Sequence, residues 1–314
     1  MALCARAHDT VACSAHLPDQ GNDLSIRNAA IALISLLVAG CAAVSINLPP
    51  ITEEATGERH NGKVVWRDLL TNTPEASQHF YGELFGWEFE EPGVIFGIGG
   101  AGGYTLIRHN GRLIGGIVDT NALGQDENVS QWITMMSVTD IDVAAGRVAE
   151  AGGVIMAEPT SIGSRGQMAI IEDATGAVFA MIQTSDGDPP DREPYYDGWL
   201  WDELWTSDVD KATEFYRGVV GFQHTDHDVD DGSYRVLKMD DTPRAGVLAN
   251  PFEGERPVWV NYLRVKDPSA ITARVEDLGG RILVEAQDRA IGGEVAVIAG
   301  PSGAGVALQT WPLD

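Results

Sequence analysis

The chain has three cysteines, and all of them, Cys4, Cys13 and Cys41, fall within its first 41 residues. Everything after Cys41 therefore lacks a thiol nucleophile, a thiolate metal site and a disulfide. Basic residues are also scarce. Lys and Arg number 21 against 46 Asp and Glu, a formal charge of −25, which argues against phosphate-backbone or anionic-membrane binding, because both need clustered cations. The 7 histidines do not assemble with Ser and an acid into a nucleophilic triad at any spacing. The apolar run Ala29 to Cys41 is too short to span a bilayer comfortably. What the chain does have is length, 314 residues, and a hydrophobic fraction of 44%, enough for a substantial core in two domains.

Arg27 precedes that apolar run, and small residues end it, which is the pattern of a secretion signal over residues 1–41. Its end, Leu37-Val38-Ala39-Gly40-Cys41, resembles a bacterial lipobox. The resemblance implies cleavage before Cys41, lipid attachment to its thiol, and a place in the bacterial cell envelope facing the periplasm or exterior. A plain membrane anchor or a buried helix is the alternative. Asp9, Asp19 and Asp23 are unusual ahead of a signal, so translation is expected to start near Leu24. Residues 42–61, rich in Pro, Glu, Thr and Asn, read as a tether.

From residue 62 onward the chain repeats itself. Val64 to Leu70 favours a strand, and a helix follows in which Thr73 is the expected cap, Pro74 suits the first turn, and Ala76, Phe80, Leu84 and Phe85 form the apolar face. Gly86 releases the chain into further strands, two of them joined by the Asn110-Gly111 hairpin signal. A second unit begins at Gln131, its helix stopped by Gly152-Gly153 and its last turn made by Asp173-Ala174-Thr175-Gly176. After a turn-rich linker at 186–197 the pattern restarts. Trp66 and Phe80 recur as Trp201 and Phe215, each 135 residues on. A fourth unit starts at Val258, with Gly279-Gly280 as the helix stop and Gly300 to Gly303 as the final turn.

Strand-helix-three-strand units with an FYG-type helix end in odd copies, and a Gly-Gly stop and DATGA-type turn in even ones, resemble the glyoxalase, bleomycin-resistance and extradiol-dioxygenase superfamily, also called vicinal oxygen chelate. The resemblance implies an α+β fold of four βαβββ modules paired into two domains, residues 62–185 and 198–314, each a curled mixed sheet around a cavity with helices outside. In metal-dependent members, side chains on the first and last strands bind a divalent ion that polarises vicinal oxygens. The matching positions here are Trp66, Ile133, Ile117 and Ala180 in the first domain and Trp201, Val260, Leu248 and Ala307 in the second. None of these coordinates a metal, so no metal and no cofactor are expected.

Strand alternation puts Trp66, Asp68 and Leu70 on one face, with Val65 and Leu69 against the helix. In the second domain Trp201, Glu203 and Trp205 share the corresponding face, and Tyr262 and Arg264 line the partner strand. Two indoles, a phenol, a carboxylate and a guanidinium suit a flat or polar organic ligand. An aromatic core with Glu203 and Arg264 paired is the plainer alternative, and both stand. The expected role is an envelope-anchored, metal-free small-molecule binding protein, with the membrane reached through the lipid and nucleic acid excluded. The alternative is a metal-independent lyase or isomerase with Asp68 or Glu203 as general base. Two other stretches carry less. Gly97 to Gly102 fits a dinucleotide fingerprint in form, but a strand follows it where a helix N-terminus is needed. His224 to Gly232 misses the calcium-loop pattern and reads as a solvated edge strand.

Overall fold

In a computed structural model of the chain, the structure describes residues 47–91, 103–123, 128–229, 232–252, 254–288 and 293–311. Residues 1–41, expected to be a signal, and the stretch Gly97–Gly102 lie outside the described residues. The first half runs β1 (Val64–Thr71), α1 (Pro74–Phe85), β2 (Glu88–Glu90), β3 (Tyr104–His109), β4 (Arg112–Asp119), β5 (Gln131–Ser137), α2 (Ile141–Val148), β6 (Val154–Ser161), β7 (Gly166–Glu172) and β8 (Val178–Thr184). The second runs β9 (Trp199–Thr206), α3 (Val209–Val219), β10 (Gln223–Val229), β11 (Gly232–Met239), β12 (Thr242–Ala249), β13 (Val258–Arg264), α4 (Pro268–Val275), β14 (Arg281–Asp288), β15 (Glu294–Ala299) and β16 (Gly305–Gln309).

These strands make two 8-stranded mixed sheets, ordered β2-β3-β4-β1-β5-β8-β7-β6 and β10-β11-β12-β9-β13-β16-β15-β14. Each sheet is left open, since its outer strands have one neighbour apiece. At the centre β1 runs parallel to β4 and antiparallel to β5, and β9 repeats this with β12 and β13. His224 and Asp226 lie on the edge strand β10, where Arg235 holds the Asp226 carboxylate at 2.6 Å.

The helix-bearing faces of the two sheets pack on each other, and the repeated sequence motifs lie in that interface. One core joins Ile141, Val148 and Phe179 of the first domain to Leu204, Phe215 and Tyr216 of the second. The other joins Leu69, Phe80 and Trp132 to Leu263, Val275 and Ile298. Gly152 and Gly279 stop α2 and α4 at φ 86° and 84°, a left-handed conformation that suits glycine. Their neighbours serve the opposite domain. A Cβ on Gly153 would lie 2.5 Å from Cε2 of Phe215, and one on Gly280 would lie 2.4 Å from Cε2 of Phe80. The following tyrosines take the indoles: Trp132 Nε1 donates to Tyr81 Oη at 3.1 Å, and Trp259 Nε1 to Tyr216 Oη at 2.8 Å.

Between the central strands sits a buried cross-domain pair. Arg67 donates through Nε and Nη2 to Asp202 at 2.9 and 2.5 Å, and Asn261 Nδ2 bridges Asp202 and Thr134 at 2.7 and 2.8 Å. Arg67 and Asp202 are themselves 135 residues apart, so the duplicated strand carries a cation in one copy and its counter-anion in the other.

Several local expectations change. Thr73 makes no side-chain cap on α1; its N–H bonds the Thr71 hydroxyl instead. Ala76 is exposed, and Ser77 and Tyr81 join Phe80 and Leu84 on the inner face. A register shift between Val64 and Trp66 turns Val65 to the Trp66 side, away from the helix. Ile117 faces the helical interface, and Val118 takes the opposite side. Residues 47–61 lie against the first sheet: Leu48 and Ile51 are buried in its core, Leu48 N–H bonds Ile162 O at 3.0 Å, and Arg59 bonds Thr184 O.

Candidate functional site

Each sheet presents its second face away from the helices, and on each a carboxylate from the first strand is buried among aromatic donors. In the first domain Asp68 Oδ1 accepts from Trp66 Nε1 at 2.8 Å and from Tyr104 Oη at 2.7 Å. Arg165 closes the group, donating from Nη1 to Tyr104 Oη at 2.9 Å with its guanidinium 4.1 Å above the Trp66 ring. Burial pushes the Asp68 carboxyl above its usual range, against the opposing Arg165 charge and the Tyr104 and Trp66 hydrogen bonds. Burial likewise raises Tyr104, so its hydroxyl stays a donor.

The second domain repeats the arrangement with a longer acid. Glu203 Oε1 accepts from Tyr234 Oη at 2.9 Å, and Oε2 accepts from Tyr262 Oη at 2.5 Å and Trp205 Nε1 at 3.3 Å. Trp201 Nε1 donates to Tyr234 Oη at 2.9 Å. Of the residues singled out in the sequence, Trp201, Glu203, Trp205 and Tyr262 meet here, and Trp66 and Asp68 meet in the first domain. Arg264 does not join them. Its Nη1 bonds Pro194 O, its Nε bonds Trp311 O at 2.9 Å, and it stacks 4.5 Å over Tyr196, so it fastens the linker.

Tyr104, Tyr234 and Arg165 escaped the sequence reading because their partners are 31 to 61 residues away. Glycine was the available signal. A Cβ on Gly116 would lie 2.2 Å from Tyr104 Oη and 2.5 Å from Asp68 Oδ1, and one on Gly246 would lie 2.2 Å from Tyr234 Oη. Each tyrosine reaches its carboxylate across a bare backbone position on the adjacent strand.

The two faces differ in cover. Leu48 and Ile51 pack onto the first, and Arg165 Nε bonds Pro49 O at 3.0 Å, so the N-terminal segment covers part of that face. On the second, among the described residues, Leu200, Trp201, Val236, Phe252 and Leu283 are only partly buried. This is the more accessible apolar surface.

Neither face offers a divalent ion a set of ligands among the described residues. Trp66, Ile133 and Ala180 lie on the first and Trp201, Val260, Leu248 and Ala307 on the second. Each face offers, among the described residues, one first-strand carboxylate already holding phenol and indole donors, where a divalent site needs several O or N ligands. Among the described residues no group of three or more His, Cys, Asp and Glu is placed to hold an ion.

Comparison with known proteins agrees with this architecture. The Glyoxalase/Bleomycin resistance protein/Dioxygenase superfamily profile matches residues 200–308. The chain is 32% identical over 248 residues to "Putative glyoxylase CFP32" of Mycobacterium bovis, covering 79% of this chain and 94% of that protein. It is 31% identical over 261 residues to the anthracycline biosynthesis protein DauV of a Streptomyces species, covering 79% and 92%. Among solved structures it is similar to a Mn(II)-bound glyoxalase from Novosphingobium aromaticivorans, with a TM-score of 0.56, 15% identity and coverage of 80% and 83%. A 2,2',3-trihydroxybiphenyl 1,2-dioxygenase from Sphingomonas wittichii gives 0.56 and 15%, with coverage of 81% and 92%. At such identities the structural likeness bears on the fold alone.

Proposed function

The chain belongs to the glyoxalase/bleomycin resistance protein/dioxygenase superfamily, and from that premise we propose that it binds a small organic molecule on the concave face of its second domain without a metal. One observation carries the reading: the second domain's face keeps Trp201, Leu200 and Phe252 partly buried against the cluster that holds Trp205 and Tyr262, while Leu48 and Ile51 pack onto the first. Indole and phenol faces favour a flat aromatic body, and Glu203 with Tyr234 and Tyr262 supplies the polar end. A relative named for anthracycline biosynthesis is in keeping with a planar aromatic ligand. The proposal extends to the envelope, with the protein held there by a lipid on Cys41.

Native mass spectrometry of the protein extracted from its own cells tests the binding. An organic adduct is expected on the native chain and is expected to be lost from Trp201→Ala. An adduct retained by Trp201→Ala and lost on trimming the 47–56 segment would move the site to the first domain. For the anchor, the membrane fraction should yield a lipid-modified N-terminal peptide beginning at Cys41; an unmodified Cys41 in that fraction contradicts it.

A second reading is favoured by Asp68, whose raised carboxyl is suited to accept a proton. If Asp68→Asn abolishes a turnover while ligand affinity is kept, the protein is an enzyme using that group as base. Glu203→Gln applies the same test to the second domain.

A further inference from the structure

A cavity of about 580 Å³ opens where the N-terminal segment, the linker and the starts of β1, β4 and β9 converge; Leu200 and Trp201 also line it, and Glu203, Trp205 and Phe252 do not. That volume lies within the range of small-molecule pockets, roughly 300–1,000 Å³. Its lining carries five Lys and Arg against five Asp and Glu, in a chain whose net charge is −25. Lys63 of the first domain and Arg244 of the second both line it, with side chains 9% and 11% exposed. One carboxylate of the linker covers the two cations. Asp191, 57% exposed, reaches Lys63 Nζ at 2.7 Å and presents both oxygens to Arg244 Nη1 at 2.8 and 3.0 Å. Arg244 Nε is left buried with no hydrogen-bond partner among the described residues. Tyr195 and Trp199 line the same cavity, with Arg112 5.4 Å over the first ring and Arg67 4.7 Å over the second.

We infer that this cleft is a second binding site, for a small organic molecule carrying a carboxylate beside an aromatic body, and that Asp191 occupies the anion position when no ligand is there. Two cations withdrawn from water and contributed by different domains are costly to hold unless an anion meets them. Asp191 meets them from the solvent side through one nitrogen of the guanidinium. A carboxylate that is not tied to the linker can take the unpaired Nε as well, with the forked geometry that makes arginine selective for carboxylates. Its ring then lies on the Tyr195 and Trp199 side of the cavity, where aromatic faces favour it. The exposed acid swings aside without burying a new charge. Burial works against ionisation of Asp191, yet the Arg244 and Lys63 hydrogen bonds and charges hold its carboxyl at about 2, so the position is anionic whenever the ligand is absent.

Calorimetric titration of the full chain with sodium benzoate, with benzamide as the neutral isostere, tests this. Benzoate is expected to bind saturably, more weakly as salt is raised, and benzamide at least about ten-fold more weakly. Asp191→Asn is expected to tighten benzoate about five-fold, the equivalent of two exposed ion pairs no longer competing. Arg244→Lys, which keeps the charge and loses the fork, is expected to weaken it. Because Arg244→Gln can disturb packing, Asp191→Asn on the exposed rim is the decisive variant. Equal binding of benzamide, unchanged affinity in Asp191→Asn, or no benzoate binding to either form at roughly 10 mM would overturn the inference.

Discussion

Replacing Asp202 by alanine removes the anion from the buried bridge between the two sheets and leaves Arg67 in place. The partners are 8% and 5% exposed, and Asp202 receives two hydrogen bonds from the guanidinium and one from Asn261. A guanidinium cannot shed its proton to escape burial, so the cost is that of an uncompensated buried charge, about 3–5 kcal/mol. Stacking of Arg67 over Trp199 at 4.7 Å recovers little of this, because it is present before and after the change. For a folded unit of this size the loss corresponds to a fall in melting temperature of roughly 6–20 °C. The assay is urea unfolding followed by far-UV circular dichroism on the native chain, Asp202→Ala, and the double variant Arg67→Met/Asp202→Leu. The double variant is expected to regain most of the stability, since apolar replacement of a buried pair is often neutral or better. A loss below about 1 kcal/mol in Asp202→Ala, or a double variant less stable than the single one, would refute the reading of Arg67 and Asp202 as a buried pair in which each charge depends on the other.

Gly246→Ala is expected to push Tyr234 off Glu203, because its Cβ would lie 2.2 Å from the phenol oxygen; ligand affinity should fall while the first domain's Asp68–Tyr104 pair, followed by tyrosine NMR, stays unchanged. Leu48→Ala should cost about 2–4 kcal/mol by denaturant unfolding, as a core position that happens to lie in the N-terminal segment, and should make residues 47–56 sensitive to limited proteolysis. Asp68 and Asp191 give opposite pH signatures. Burial raises Asp68 above 3.8, so its contribution to stability is full below that value and is lost as pH rises through the shifted pKa. Urea midpoints from pH 4 to 7 should therefore fall more steeply for the native chain than for Asp68→Asn, and parallel curves would contradict the shift. Asp191, lowered from 3.8 to about 2, contributes above 3.8 and loses that contribution as pH falls towards 2. Being exposed, it gives a small effect, visible as a difference between native and Asp191→Asn midpoints in that window.

The module pattern was legible in the sequence because it rests on local signals. Phe80-Tyr81 and Phe215-Tyr216 sit at helical spacing, and Gly152-Gly153 and Gly279-Gly280 stop helices. Their second purpose was not legible. That Phe215 presses on Gly153 and Phe80 on Gly280 is a contact between domains, and no local period encodes it. Alternation along β1 and β9 correctly grouped Trp66 with Asp68 and Trp201 with Glu203. It failed at Val65, where a register shift reverses the side, and at Arg264, where the strand ends and the side chain turns to the linker. Tyr104, Tyr234 and Arg165 were invisible because they arrive from strands and loops whose register only the folded sheet defines. The charged Arg67 and Asp202 on an otherwise helix-packed face did carry a clue: buried charges need partners, and these two are each other's.

Both carboxylate-bearing faces lack a set of metal ligands among the described residues, and metal analysis of the protein purified without chelator from its own cells is the direct test. Less than a stoichiometric amount of any divalent ion is expected, with no gain in thermal stability on adding Mn(II), Fe(II), Zn(II) or Ni(II), and an organic adduct that survives extensive dialysis against chelator. One tightly held transition-metal ion per chain, lost together with the adduct on chelation, would contradict this expectation.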